Sequence, residues 1–289
     1  MADNSREVRK SMVSWLRILQ SDKAAGLDFG LYLLERTFIL SKETLETVAH
    51  WLEVAASGEQ VTVASVVCPD YATREEEGHR VYDFSQLGGK VGLVASAALR
   101  EHGQLFREGQ KRAWGWNLHH VLAMADQEAN AANCARVKLD LEAFVARMRN
   151  SQARLLKGLP TGMNAIAPFL TEINGAEWEK AAGLGEEWLR TASDEYASVP
   201  NGDTARAVKT VIQHRVSFYE RWAGRRLTTD EVRSMALTQA AEYVRVGAYL
   251  AKVLTNPFIF GADAPCMAPF VRAGAGPTVP VLYLERADY

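Results

Sequence analysis

Hydrophobic positions along the chain fall into two alternating patterns. One is a short apolar run of strand length, and the other is a longer stretch where apolar residues return every three or four positions. The clearest run is VTVASVV over 61–67, β-branched or small throughout, which breaks at once into Cys68-Pro69-Asp70-Tyr71. An unbroken apolar run ending so abruptly predicts a strand buried on both faces. LHHVLAMA over 118–125 predicts a second buried strand, NAIAPFLT over 164–171 a third, FIFGA over 258–262 a fourth and VPVLYL over 279–284 the last. Pro168, which cannot donate to a ladder, places the third at a sheet edge or a bulge.

The helical stretches lie between these runs. Val8, Met12, Trp15, Leu16 and Leu19 give an amphipathic opening helix over about 6–20. Ser41 reads as an N-cap with Glu43 in the first turn, followed by a helix over 42–56 with Leu45, Val48, Ala49 and Leu52 on one face, stopped by Gly58. A long helix begins near Asn133, and helical sequence from Trp178 to about Tyr219 is interrupted by the loop signal at 198–203. Thr228 and Glu231 form a capping box that starts the strongest helix, which runs until Asn256-Pro257 ends it. The polar stretch ATREEEGHR, 72–80, is expected as a surface loop.

Strands that alternate with helices call for one mostly parallel sheet covered on both faces. The expected fold class is therefore α/β: a Rossmann-like three-layer sandwich with a mostly parallel sheet, built as a single domain over 1–289. The helical block at about 178–254 forms a subdomain within it. A strand within 37–40, the helix 42–56 and the strand 61–67 would be the first crossover, with the two strands as parallel partners.

Composition narrows the function classes. The 289 residues are 48% hydrophobic and 24% charged, with a net charge of -2, so no basic footprint announces nucleic acid. Cys68, Cys134 and Cys266 are odd in number and lack metal spacing, which argues against a disulfide framework or a zinc site and favours a cytoplasmic setting. No run of about 18 apolar residues occurs, so no membrane span is expected.

The candidate chemistry lies where apolar runs end in acids. Asp70 follows the run at 61–67, Asp126 and Glu128 follow that at 118–125, Glu172 closes that at 164–171, and Asp263 closes that at 258–262. Parallel strands would gather these carboxylates at one edge, where ligands of open α/β sheets sit. Such a set can grip a substrate amine, hold a divalent cation or supply an acid/base group. Each acid taken singly is as well explained as a strand terminator or helix cap. Asp126-Gln127-Glu128 also has the acid-x-acid spacing that lets two carboxylates point to one side, as a metal-bound diphosphate requires.

Other residues are weighed against plain structural roles. Cys68, at the end of a buried run with no cation beside it, reads as a small hydrophobe. His119 and His120 lie within a strand, so one of them faces the interior as a core histidine, while His79 and His214 have polar neighbours suited to acid/base work. Gly88-Gly89 reads as a turn, although a glycine pair before a helix can expose N–H groups to an anion. Arg136, Lys138, Arg147, Arg149, Arg154 and Lys157 read as a solvated helix face that could also meet a phosphate-bearing partner. Tyr243 lies on the buried face of the strongest helix, and Gln239 and Glu242 would reach a pocket if that helix crosses the carboxyl edge.

Two segments resemble the cyclodipeptide synthases, whose fold is similar to class I aminoacyl-tRNA synthetase catalytic domains. They are 38–70, with Ser41, Leu45, His50-Trp51 and Pro69-Asp70, and 242–270, EYVRVGAYLAKVLTNPFIFGADAPCMAPF. The resemblance implies a Rossmann-like fold, an amino-acid-like substrate, a catalytic tyrosine at Tyr243 and tRNA as a partner. In that family a glycine stands two residues before the nucleophilic serine and an asparagine three after it. Here Ser41 follows Ile39-Leu40 and precedes Lys42-Glu43-Thr44, so it reads as a helix cap. The family's glutamate four residues after the tyrosine is Gly247 here.

The resulting expectation is a transferase or ligase-like enzyme acting on a small amine-bearing substrate at the carboxyl edge. Asp70 and Tyr243 would be catalytic, with Tyr71, Asp126, Glu128, Glu172 and Asp263 binding substrate; no metal ligand set and no cofactor is assigned. The alternatives are a metal-dependent nucleotide-sugar transferase using Asp126 and Glu128, and a non-catalytic protein that binds a ligand or partner in the same cleft.

Overall fold

The computed structural model of the chain describes residues 37–38, 42–67, 72–76, 79–83, 116–124, some positions between 140 and 153, 164–166, 168–261 and 265–284. Its strands are β1 (Thr37–Phe38), β2 (Val61–Val67), β3 (Ala72–Glu76), β4 (His79–Asp83), β5 (Leu118–Met124), β6 (Ala165–Ile166), β7 (Pro257–Gly261) and β8 (Val281–Leu284). The main helices are α1 (Lys42–Ala56), α2 (Gly175–Ser198), α3 (Asp203–Ala223), α4 (Thr229–Val253) and α5 (Ala268–Ala275).

β2 sits near the middle of a six-stranded sheet of order β1-β8-β7-β2-β5-β6. The five strands from β8 to β6 are parallel, which gives the Rossmann-like α/β architecture. The pleat sends alternate residues of each strand to opposite faces. Ala64, Val121, Ala123, Ile259, Val281 and Tyr283 share one face and form a buried cluster with residues of α2, α4 and α5. The opposite face carries Phe258, whose ring lies 4.9 Å from that of Trp51 on α1.

Asn256 ties the two central strands together at their amino ends. Its carbonyl accepts from Trp51 Nε1 at 2.9 Å and from Thr62 N at 3.2 Å. Its side chain donates to the Gln60 carbonyl at 2.9 Å. The residue has φ 42, a left-handed value that asparagine tolerates better than most side chains. Helix starts are equally explicit: Asn174 accepts from Glu177 N to open α2, and the Thr228/Glu231 capping box opens α4.

Several expectations are corrected. The strand within 37–40 is not the parallel partner of β2: β1 pairs antiparallel with β8, through Thr37↔Leu284 and Phe38↔Tyr283, and β8 and β7 lie between it and β2. The expected loop at 72–80 is an antiparallel hairpin of β3 and β4, in which His79 is the first residue of β4. The expected strand over 164–171 shrinks to Ala165–Ile166; Phe169 makes one isolated bridge to Met124, and Glu172 lies in a 3-10 turn. Pro168 is the reason the ladder breaks there, since it lacks an N–H, while its carbonyl still accepts from Met124 N at 2.8 Å. Helix α5 lies where the sequence pattern predicts no element.

Candidate functional site

The connections leaving β2 and β7 diverge. From β2 the sheet order proceeds through β5 to β6, and from β7 it proceeds the other way to β8. Where neighbouring connections part in this way, a crevice opens outside the carboxyl ends of the strands. The switch point here is between β2 and β7, and it is where a ligand of this sheet would sit.

The residues predicted to line that edge divide into two groups. Asp70, Tyr71, Asp126, Glu128 and Asp263 lie outside the described residues. The strands that precede them end together: Val67 of β2 is the register partner of Met124 of β5, and Ala64↔Ile259 sets β7 alongside. Glu172 lies three residues beyond Phe169, which bridges to the last residue of β5. Its carboxylate is held by both terminal nitrogens of Arg149, one at 3.1 Å and one closer, and that guanidinium stacks 3.8 Å over the Phe169 ring. Arg149 therefore neutralises the acid at this end of the edge, and one of the cations expected on the solvated helix face has this structural partner.

Tyr243 belongs to the helical wall of the site. α4 ends where β7 begins, so the two run antiparallel from the amino edge upward. β7 climbs roughly 13 Å at about 3.3 Å per residue. At 1.5 Å per residue α4 needs about nine residues for the same height, which brings it level with the carboxyl edge near Val244. The packing agrees. Val246, Tyr249 and Leu250 belong to the cluster on the sheet, Val232 to Val244 belong to a second cluster away from it, and half-buried Tyr243 packs against both. α4 thus crosses the carboxyl edge at Glu242 and Tyr243.

A polar group is built into this crossing point. Tyr219 of α3 is completely buried and donates its hydroxyl to Gln239 Oε1 at 2.6 Å. Arg215, one helical turn earlier, is near enough to act on the same phenol, as are Glu242 and Cys266. Burial raises the Tyr219 phenol far above its ordinary range, against the pull of Arg215. Burial likewise raises the Cys266 thiol, again opposed by Arg215, so Cys266 is a neutral thiol near pH 7 and not an activated nucleophile. Cys266 lies in the turn Pro265–Met267, which begins four residues after the last residue of β7. Cys266 thus joins the group from the chain that follows β7.

The sequence reading picked out Gln239, Glu242 and Tyr243 but missed Arg215, Tyr219 and Cys266. The available signal was pairing at helical spacing: Arg215 and Tyr219 at i,i+4 on α3, and Gln239, Glu242 and Tyr243 at i,i+3,i+4 on α4. Of the histidines, His120 is buried as expected of one of the strand pair. His119 Nε2 lies 2.9 Å from Asn164 Nδ2, and His214 is exposed on α3.

An open groove of about 400 Å³ separately lies between α2 and α4, lined by Leu189, Tyr196, Leu237 and the pair Asp230–Arg233 at 2.7 Å. It adjoins the first turns of α4 and ends at Leu237 and Thr238, beside Gln239. Among the described residues no group of three or more His, Cys, Asp or Glu is placed to hold a metal, and no helix is long and apolar enough to cross a membrane. Compared with known proteins, the sequence matches no family model, and no curated protein matches it.

Proposed function

We propose that the protein is a transferase or ligase-like enzyme that binds a small amine-bearing, amino-acid-like substrate at the carboxyl edge between β2 and β7. The observation that carries this reading is the switch point itself. The two strands that flank it run on toward Asp70 and Asp263, three and two residues after their last residues, while α4 brings Glu242 and Tyr243 to the same level. Carboxylates gathered at one place repel unless a cation offsets them, and a protonated amine is the substrate group that does so. Tyr71 would shape the pocket, Asp126 and Glu128 would extend the acidic side from β5, and Tyr243 would hydrogen-bond the reacting group.

Titration of the protein with free L-amino acids, read by calorimetry and thermal shift, tests the reading. Binding of at least one amino acid is expected, and Asp70→Asn and Asp263→Asn should each abolish it while leaving the melting temperature within about 1 °C, as loss of a group that serves binding alone does. Loss of fold in both variants would mark the acids as structural. A thermal shift that instead requires manganese and a nucleotide sugar, and disappears with Asp126→Asn, would replace the amine reading by a metal-dependent nucleotide-sugar transferase.

A further inference from the structure

The groove between α2 and α4 offers chemistry that needs nothing from the sheet edge. We infer that it binds a neutral saccharide of disaccharide length, laid along the row of polar groups that α4 contributes, Asp230, Ser234 and Thr238. This is independent of the amine-site reading above.

Shape comes first. α2 comes against α4 at Gly185, where a Cβ would lie 3.0 Å from the Ala241 carbonyl oxygen. One turn further along α2 the groove begins, at half-buried Leu189 and buried Leu237, and it runs on past Tyr196 to Asp230. Its volume of about 400 Å³ is within the usual range for small ligands. Asp230, Ser234 and Thr238 recur every fourth residue, so they stand about 6 Å apart along the axis of α4 and span about 12 Å. Two pyranose rings in line have this length.

Charge comes next. The groove holds one anion and one cation, Asp230 and Arg233, 2.7 Å apart, and the Arg233 guanidinium lies 5.8 Å from the centre of the Tyr196 ring. A cationic ligand would meet Arg233 and an anionic one Asp230, whereas a neutral ligand meets neither repulsion. Among the described residues no group hydrogen-bonds the hydroxyls of Tyr196, Ser234 or Thr238, and each can both donate and accept. Ser193 donates to the Leu189 carbonyl at 2.7 Å and is left as an acceptor.

Sugar hydroxyls give and take hydrogen bonds at close, regular spacing, which is what this row can answer. The carbon–hydrogen face of a sugar ring suits the tyrosine and the two leucines. A docking helix would fit less well: its backbone is already paired, so it would shut the hydroxyls and the ion pair away from water without giving them partners.

The test is ligand-observed NMR and calorimetry of the whole chain against a panel of neutral mono- and disaccharides. At least one disaccharide should bind, roughly tenfold more tightly than the monosaccharides it contains, since it adds hydrogen bonds along the row. Leu189→Trp, which fills the groove, should abolish binding, and Tyr196→Ala and Asp230→Ala should each weaken it roughly tenfold. Glu187→Ala, an exposed residue of α2 outside the groove, should change nothing. If Tyr196→Ala does not fold, Tyr196→Phe, which keeps the ring, should still weaken binding severalfold. Failure of every disaccharide to bind the wild-type protein overturns the inference, including the case where a peptide binds the groove instead. Binding that survives Leu189→Trp places the sugar elsewhere and overturns it as well. Amino-acid binding at the sheet edge should be the same in Leu189→Trp as in the wild-type protein, so the two sites stand or fall separately.

Discussion

The two halves of α4 meet different surroundings. From Val246 to Leu250 the helix lies on sheet residues such as Ala64, Val121 and Ile259, together with α5. From Val232 to Val244 its buried residues cluster with α2, α3, Met267 and Phe270. Where α4 passes α5, contact is close enough that glycine is required: a Cβ on Gly247 would lie 2.0 Å from the Val271 carbonyl oxygen, and one on Gly274 would lie 1.9 Å from that of Val244. On the other side the helices tolerate hydroxyls, amides and charges between them. Where the two regimes meet, a helix can present polar groups from a rigid base, and that is where Glu242 and Tyr243 stand.

The largest effect expected from disturbing this contrast is at the tight contact. Gly247→Ala forces backbone against backbone and should destabilise by about 3 kcal/mol in chemical denaturation, the upper end of ordinary overpacking. Gly183→Ala, in α2 with no atom within 4 Å of its would-be Cβ, should instead stabilise by about 1 kcal/mol through helix propensity. A similar loss at both positions would show that the close approach of α4 to α5 does not set Gly247 apart.

The next effect is at the crossing point. Tyr219→Phe removes the hydrogen bond to Gln239 and should cost about 1.5 kcal/mol at neutral pH. It should also change the alkaline limb of the stability curve. The folded phenol holds its proton to higher pH than the unfolded one, which releases it near its ordinary value of 10. Above that pH the folded state binds more protons, so stability falls as pH rises, and the phenylalanine variant should lose this slope. An unchanged alkaline slope in denaturant titrations would mean that Tyr219 is not buried as described.

The smallest effect is at the far end of α4. Thr228→Ala removes the cap and should cost about 1 kcal/mol, seen as faster amide exchange over the first turns of α4 and not over the sheet. Hydrogen bonding to Arg225, and then to Thr228, lowers the Glu231 carboxyl to about 2. Its contribution is whole above the unfolded value near 4.5 and fades as pH falls toward 2, so the effect of the substitution should shrink in acid.

How far the sequence could be read depended on where each residue's partners lie. α1 and β2 were legible to the residue because their signals are local: a stop at Gly58 and an unbroken β-branched run. β1 was misread because its orientation is set by β8, far along the chain, and two residues carry no direction of their own. Helix α5 was overlooked since eight residues with a proline at the start and a glycine after the end look like loop. The acidic strand ends were visible as a pattern, with Asp70, Tyr71, Asp126, Glu128 and Asp263 outside the described residues. Arg215 and Tyr219 were hidden because polar residues on an amphipathic helix look the same whether they face water or a buried neighbour.

The pairing of β2 with β7 also bears on how the chain reaches this structure. Val63 lies beside Phe258, and Asn256 bonds Gln60 across 196 positions of sequence. As the chain emerges from the ribosome, β2 can pair with β5 well before β7 exists, leaving one side of an apolar central strand uncovered for as long as the intervening helices take to be made. Such long-range parallel pairing is slow and exposes aggregation-prone edges. Folding of the sheet is therefore expected to be completed late in synthesis, with the half-built sheet the species that most needs a chaperone.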